Sequence, residues 1–213
     1  MWKKYLFAFT ILLILLLLSA CGTEQPSVSV DDIPDEPSKQ ELMEQIEQTN
    51  ATSIKSIIAD NFFLLDTVEG SNNDKADVYA TRAFSVSELV DLVANKRTPE
   101  EKSDLKDNQQ ILIYPNHFVT FKQSEEDATV TLIEVASNSF VRNNYSPNFL
   151  STYFAIRLLD NVLGVNNWAN KRRNSCQSGD CYGGYTVPKS NNSGSSLKRG
   201  LSTFRGGGPS VGK

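Results

Sequence analysis

Between Thr23 and Leu163 the chain contains one glycine, Gly70, whereas residues 165–213 hold nine of its twelve glycines, eight serines and few aliphatic residues. A dense core must therefore be built from the first stretch, because Gly- and Ser-rich segments bury too little apolar surface to offset their ordering entropy. The same boundary divides the charge. Residues 22–164 carry a net −13 and residues 165–213 a net +7, so the overall formal charge of −4 averages an acidic body with a basic tail. Four segments are expected: 1–20, 21–38, a folded domain over 39–164, and a disordered basic Gly/Ser-rich tail over 165–213.

Within 39–164 the pattern predicts an α+β domain, with about five mostly antiparallel strands packed by four or five helices. Ser38 and Glu41 form a capping box before Leu42, Met43 and Ile46. Ser53 opens a second short helix with Ile54, Ile57 and Ile58 on one face. Strands are expected over 61–68 and 75–83, joined by a turn with Gly70, Asn72 and Asn73. Ser85 and Glu88 cap a third helix. Thr98-Pro99-Glu100-Glu101 reads as a further short helix with Pro at its first position. Strands over 110–114 and 117–122 flank the turn pair Pro115-Asn116, and 128–136 is the fifth strand. One last helix is expected from Ser146 to Leu163, closed by Gly164, with its apolar face on the sheet.

The N-terminus is read as an export signal. Lys3 and Lys4 precede fourteen residues, Tyr5 to Leu18, in which only Thr10 is polar. That length suits a signal core better than a membrane span, which needs about 20 apolar residues. The run ends in Leu18-Ser19-Ala20-Cys21-Gly22, which resembles a bacterial lipobox. The resemblance implies diacylglyceryl transfer to the Cys21 thiol and cleavage before it, leaving a membrane-anchored chain on the extracytoplasmic face. An uncleaved anchor or an ordinary secretory signal is the competing reading. Residues 21–38, with three prolines, five acids and no aromatic side chain, read as an extended tether.

The run from Phe140 to Leu150, FVRNNYSPNFL, resembles a segment of an uncharacterised Bacillales lipoprotein family, domain of unknown function 4247. The similarity extends over about Phe62 to Trp168 and includes LLDTVEG at 64–70, Tyr79-Ala80 and TLIEVAS at 131–137. It implies a cell-envelope lipoprotein, linked to membrane or envelope stress. It supplies no catalytic residue, cofactor or ligand.

Few side chains offer chemistry. Arg142, Asn143, Asn144 and Tyr145 are the types that bind an anion, a sugar or a partner, and they also suit a packed loop-to-helix junction. His117 is the sole histidine, so neither a metal site nor a Ser-His-Asp triad is expected, and no G-x-S-x-G elbow is present. Cys176 and Cys181 bracket four residues. A disulfide, free thiols and a metal site are the three readings, the disulfide being permitted outside the membrane. Lys171, Arg172, Arg173, Lys198, Arg199 and Arg205 make the tail a candidate for anionic lipid or wall polymer, against a plain solvated spacer. Nucleic acid is not an expected partner outside the cell. The expectation is a non-enzymatic envelope lipoprotein without a cofactor, whose acidic domain meets an envelope protein. A hydrolase or other enzyme acting on envelope material is the alternative, which a deep pocket joining Arg142, Asn144 and Tyr145 to Glu134 or Asp66 would favour and a packed junction would disfavour.

Overall fold

The computed structural model describes residues 29–176 and 181–186. Six strands form one sheet: β1 (Phe63–Glu69), β2 (Lys75–Thr81), β3 (Glu101–Lys102), β4 (Gln109–Ile113), β5 (His117–Gln123) and β6 (Thr131–Ser137). Their order across the sheet is β1-β2-β6-β5-β4-β3, and every neighbouring pair is antiparallel. Among the described residues seven α-helices accompany it: α1 (Lys39–Gln48), α2 (Ile54–Asn61), α3 (Val86–Lys96), α4 (Asn138–Asn144), α5 (Pro147–Leu150), α6 (Ile156–Val162) and α7 (Trp168–Cys176).

Strand alternation sends successive side chains to opposite faces, and each face has its own core. On the first face α1, α2 and α3 place Leu42, Ile46, Ile57, Ile58, Leu89 and Val93 against Leu112, Val119, Phe121, Ile133 and Val135. The caps read from the sequence hold these helices. The Ser38 hydroxyl accepts from the Glu41 N–H at 3.3 Å, and the Ser85 N–H donates to the Glu88 carboxylate at 3.0 Å. On the second face α4 to α7 bring Phe140, Val141, Leu150, Phe154, Leu159, Leu163 and Trp168 onto Val78, Ile111, Phe118 and Leu132.

Five expectations need correction. The segment after Pro99 is extended, not helical: it carries no apolar face to bury, and the free edge of β4 takes its backbone instead, with Glu100 N–H on Ile113 O at 2.8 Å. The single helix expected over 146–163 is two, α5 and α6. The Ser151 and Thr152 hydroxyls both bond back to the Asn148 carbonyl at 3.1 Å, and Ala155 restarts the chain in an extended conformation. Residues 142–144, read as suiting a loop-to-helix junction, lie instead within α4 (138–144), because the Ser137 hydroxyl caps the Phe140 N–H at 3.1 Å. The tether is pinned at its C-terminal end: Val30 and Ile33 are buried, and the Arg82 guanidinium donates to Val30 O at 2.7 Å.

The fifth correction is the boundary at 164. Gly164 does end α6, at φ +64°. Beyond it, however, α7 packs on the body and Trp168, Tyr182 and Tyr185 are buried. Three aromatic side chains within a polar stretch supply the apolar area that average composition conceals.

Candidate functional site

The second face of the sheet carries a polar row. In register across the strands, Asp66 of β1 lies opposite Val78, Val78 opposite Glu134 of β6, and Glu134 opposite Thr120 of β5. A bulge between Leu64 and Asp66 turns Asp66 onto this face. Glu134 occupies the inward phase of the TLIEVAS strand, between Leu132 and Ala136, and is 2% exposed.

Its carboxylate is covered by three tyrosines. Tyr145, at the end of α4, donates its hydroxyl to Glu134 Oε1 at 2.8 Å. Tyr185 donates its backbone N–H to Oε2 at 3.1 Å and its hydroxyl to Asp66 Oδ2 at 3.0 Å. Tyr182 stands edge-on to both Phe140 and Tyr145, with centroids 5.6 and 5.0 Å apart. Burial raises the Glu134 pKa to about 7, and hydrogen bonds from Tyr145, Tyr182 and the Tyr185 backbone oppose that rise. The same burial and the nearby carboxylate push the Tyr145 and Tyr182 hydroxyls well above the ordinary tyrosine range. The hollow left beside Glu134, lined also by Gln109 and Thr120, is about 10 Å³. That is roughly the space of a single water. Gln109 Nε2 is buried without a hydrogen-bond partner among the described residues.

The four residues of the Arg142–Tyr145 cluster do not converge. Arg142 is exposed, and its carbonyl accepts from Trp168 Nε1 at 3.0 Å. Asn143 donates to Asp74 Oδ2 at 2.9 Å. Asn144 is fully buried: its side chain accepts from the Ser71 N–H at 2.8 Å and donates to Phe140 O at 2.9 Å. Tyr145 points inward to Glu134. The cluster therefore fastens the β1–β2 hairpin, α4, α7 and the sheet to one another. Gly70 belongs to this packing, since a Cβ there would lie 2.5 Å from Asn144 Nδ2 and 2.8 Å from Phe140 Cε2.

Cys176 and Cys181 are joined by a disulfide, with Cα atoms 5.2 Å apart. Of the basic residues singled out in the sequence, Lys171 and Arg173 are exposed on α7. Arg172 turns inward and is half-buried, donating to Asn144 O at 2.9 Å, Tyr145 O at 3.2 Å and Cys181 Sγ at 3.2 Å. Cys21, Lys198, Arg199 and Arg205 lie outside the described residues. Among the described residues no group of three His, Cys, Asp or Glu side chains is placed to hold a metal ion, and no helix is long and apolar enough to cross a membrane. His117 is half-buried, and burial with the nearby Lys55 charge lowers its pKa.

A second feature is an open groove of about 560 Å³ on the first face, between α1 and α3. Met43, Phe84 and Leu92 floor it, and Glu47, Glu88 and Asp91 stand on its rim. Lys39 of α1 crosses it to Glu88 of α3 at 2.6 Å.

Glu134, Tyr182 and Tyr185 were not singled out as a cluster by the sequence. A signal existed for the first: an acid in the inward phase of an otherwise apolar strand. No spacing signalled that tyrosines 48 and 51 residues downstream would cover it.

A protein-family profile described as "Domain of unknown function (DUF4247)" matches residues 42–213. No curated protein and no solved structure matches the chain. The profile spans most of the 213 residues, and the chain belongs to this family.

Proposed function

We propose that this member of the DUF4247 family is a lipid-anchored envelope protein that binds rather than catalyses, held to the extracytoplasmic face of the membrane through Cys21. The observation that carries the binding reading is the packed junction around Glu134. The groups most suited to acid–base chemistry, a buried carboxyl with a pKa near 7 and its tyrosine neighbours, open onto a hollow of only about 10 Å³. Acid–base catalysis needs a substrate proton within hydrogen-bond reach of the group. Here each carboxylate oxygen is already engaged by the protein's own donors.

The charge split supports an interaction role and persists, reduced in size, with the corrected boundary. Residues 22–186 carry a net −11, and residues 187–213 a net +5 with no acid among them. The basic segment suits anionic lipid or a phosphate-rich wall polymer, at about 1 kcal/mol for each basic side chain near such a surface. The acidic body is left to face an envelope protein. Two acyl chains on Cys21 would provide stable anchoring where one gives only marginal binding.

Fractionation of cells expressing the Cys21→Ala chain tests the anchor. Loss of lipid labelling, with unprocessed or released protein, is expected. Normal processing and full membrane retention of that variant would defeat the reading.

A further inference from the structure

Residues 181–186 do not simply trail from α7; they lie in the body as a bound peptide lies in a receptor. The Tyr182 N–H donates to Asn144 O at 2.9 Å, and Tyr182 O accepts from the Ser146 N–H at 2.7 Å, making a short parallel pairing with the chain at Tyr145. This is main-chain recognition of the strand-addition kind. Two tyrosine side chains then fill separate places. Tyr182 sits among Phe140 and Tyr145, while Tyr185 reaches across Glu134 to Asp66. Between them Gly184 adopts φ +89° against Phe149, where a Cβ would lie 3.0 Å from the ring. The recess under this strap keeps a buried amide, Gln109 Nε2, that has no hydrogen-bond partner among the described residues, beside Glu134.

Two fastenings hold the strap at its start. One is the Cys176–Cys181 disulfide, both of whose residues are only partly buried. The other is the Arg172 guanidinium, which bonds Cys181 Sγ and the Asn144 and Tyr145 carbonyls together.

We propose that the strap is an internal ligand on a redox-sensitive catch, and that the recess beneath it is a binding site for an extended peptide bearing two tyrosines three positions apart. In the opening step a dithiol reductant gives two electrons and two protons to the Cys176–Cys181 bond. Two thiols form, and the reductant leaves as its own disulfide. The strap then keeps its backbone connection to α7 and its non-covalent contacts, without the cross-link, and exchanges with a competing segment. Effective concentrations across short connections are millimolar, so a strap that closes in cis implies a dissociation constant of about 1 mM or tighter for the same segment in trans. The inference stands independently of the tail's affinity for anionic surfaces.

The test uses the full chain in two arms. In the first, hydrogen exchange is followed in the oxidised and the dithiothreitol-reduced protein. The Tyr182 and Tyr185 amides are expected to exchange at least about tenfold faster on reduction, with those of Val78 and Val119 unchanged. Equal exchange at the strap, or an equal rise in the central strands, overturns the catch. In the second, a dye-labelled hexapeptide with the sequence of residues 181–186, carrying Cys181→Ser, is titrated into the chain with Tyr182→Gly and Tyr185→Gly, which lacks its internal competitor. Binding at about 1 mM or tighter is expected, weakened several-fold when the peptide also carries Tyr185→Phe, and absent in the oxidised wild type. A variant whose central strands remain protected but which binds no peptide overturns the site. If the double variant fails to fold, the same peptide is titrated into the chain with Tyr185→Gly alone after reduction, where binding at about 1 mM or tighter is expected and no binding overturns the site.

Discussion

Replacing Glu134 by glutamine isolates the cost of keeping a carboxyl group under three tyrosines. In the unfolded chain its pKa returns to the ordinary 4.5, whereas in the folded chain burial holds it at about 7. Between those values the folded protein keeps a proton that the unfolded protein has released. Stability therefore falls as pH rises through this window and levels off above 7, where both states are ionised. The gap corresponds to about 3 kcal/mol at 1.36 kcal/mol per pH unit. Glutamine does not titrate, so Glu134→Gln removes this component while leaving an oxygen to accept from Tyr145. Urea midpoints for both chains at intervals between pH 4.5 and 8 give the difference directly. His117 contributes an opposing slope, because its lowered pKa means that stability is lost as pH falls below its ordinary 6.5. The carboxylates with lowered pKa values, the exposed Glu41 and Glu88 and the half-exposed Asp127, lose their contribution at still lower pH. Both effects are common to the two chains and cancel in the difference. The variant is expected to gain about 3 kcal/mol on the wild type across the window. A difference that stays flat with pH would refute the claim that burial sets the charge state of Glu134.

Four further perturbations test the packing around this junction and its limits. Gly70→Ala pushes a methyl group onto Asn144 and Phe140, and should cost about 1–3 kcal/mol by chemical denaturation; a neutral effect would mean the hairpin shifts freely. Cys176→Ser opens a bridge between residues five apart and should cost about 2 kcal/mol, seen as a lower urea midpoint. Ending the chain after Thr186 should leave that midpoint unchanged within about 0.5 kcal/mol, whereas ending it after Gly164 removes Trp168, Tyr182 and Tyr185 from the core and should prevent stable folding.

The α+β class, four of the six strands to within a residue or two at their ends, and the capping residues Ser38 and Ser85 were legible because short-range patterns determine them. The missing strand, β3, is two residues long and exposed, so only its pairing with β4 defines it. The break between α5 and α6 depends on hydroxyls bonding to one carbonyl, which helical periodicity does not register. At the site, Tyr145 was legible as a functional candidate and Glu134 or Asp66 as an acid a pocket could join to it, but the direct Tyr145–Glu134 hydrogen bond was not, because the two meet only through the fold. The strap was hidden for a different reason. Two tyrosines among glycines look like tail composition until α7 and the disulfide return them to the sheet. Glu134 shows the converse, an acid that obeys strand alternation and is buried because of it.

The tail's affinity for an anionic surface is the central claim of the functional reading, and co-sedimentation with anionic vesicles tests it most directly. Unlipidated chains of residues 22–213 and 22–186 are compared as salt rises from about 0.01 M to about 1 M, which shortens the screening length from about 30 Å to about 3 Å. The longer chain is expected to sediment with the vesicles at low salt and to be released at high salt, while the shorter chain, with a net −11, stays in solution throughout. Equal behaviour of the two chains, or binding by the longer one that ignores salt, would contradict it.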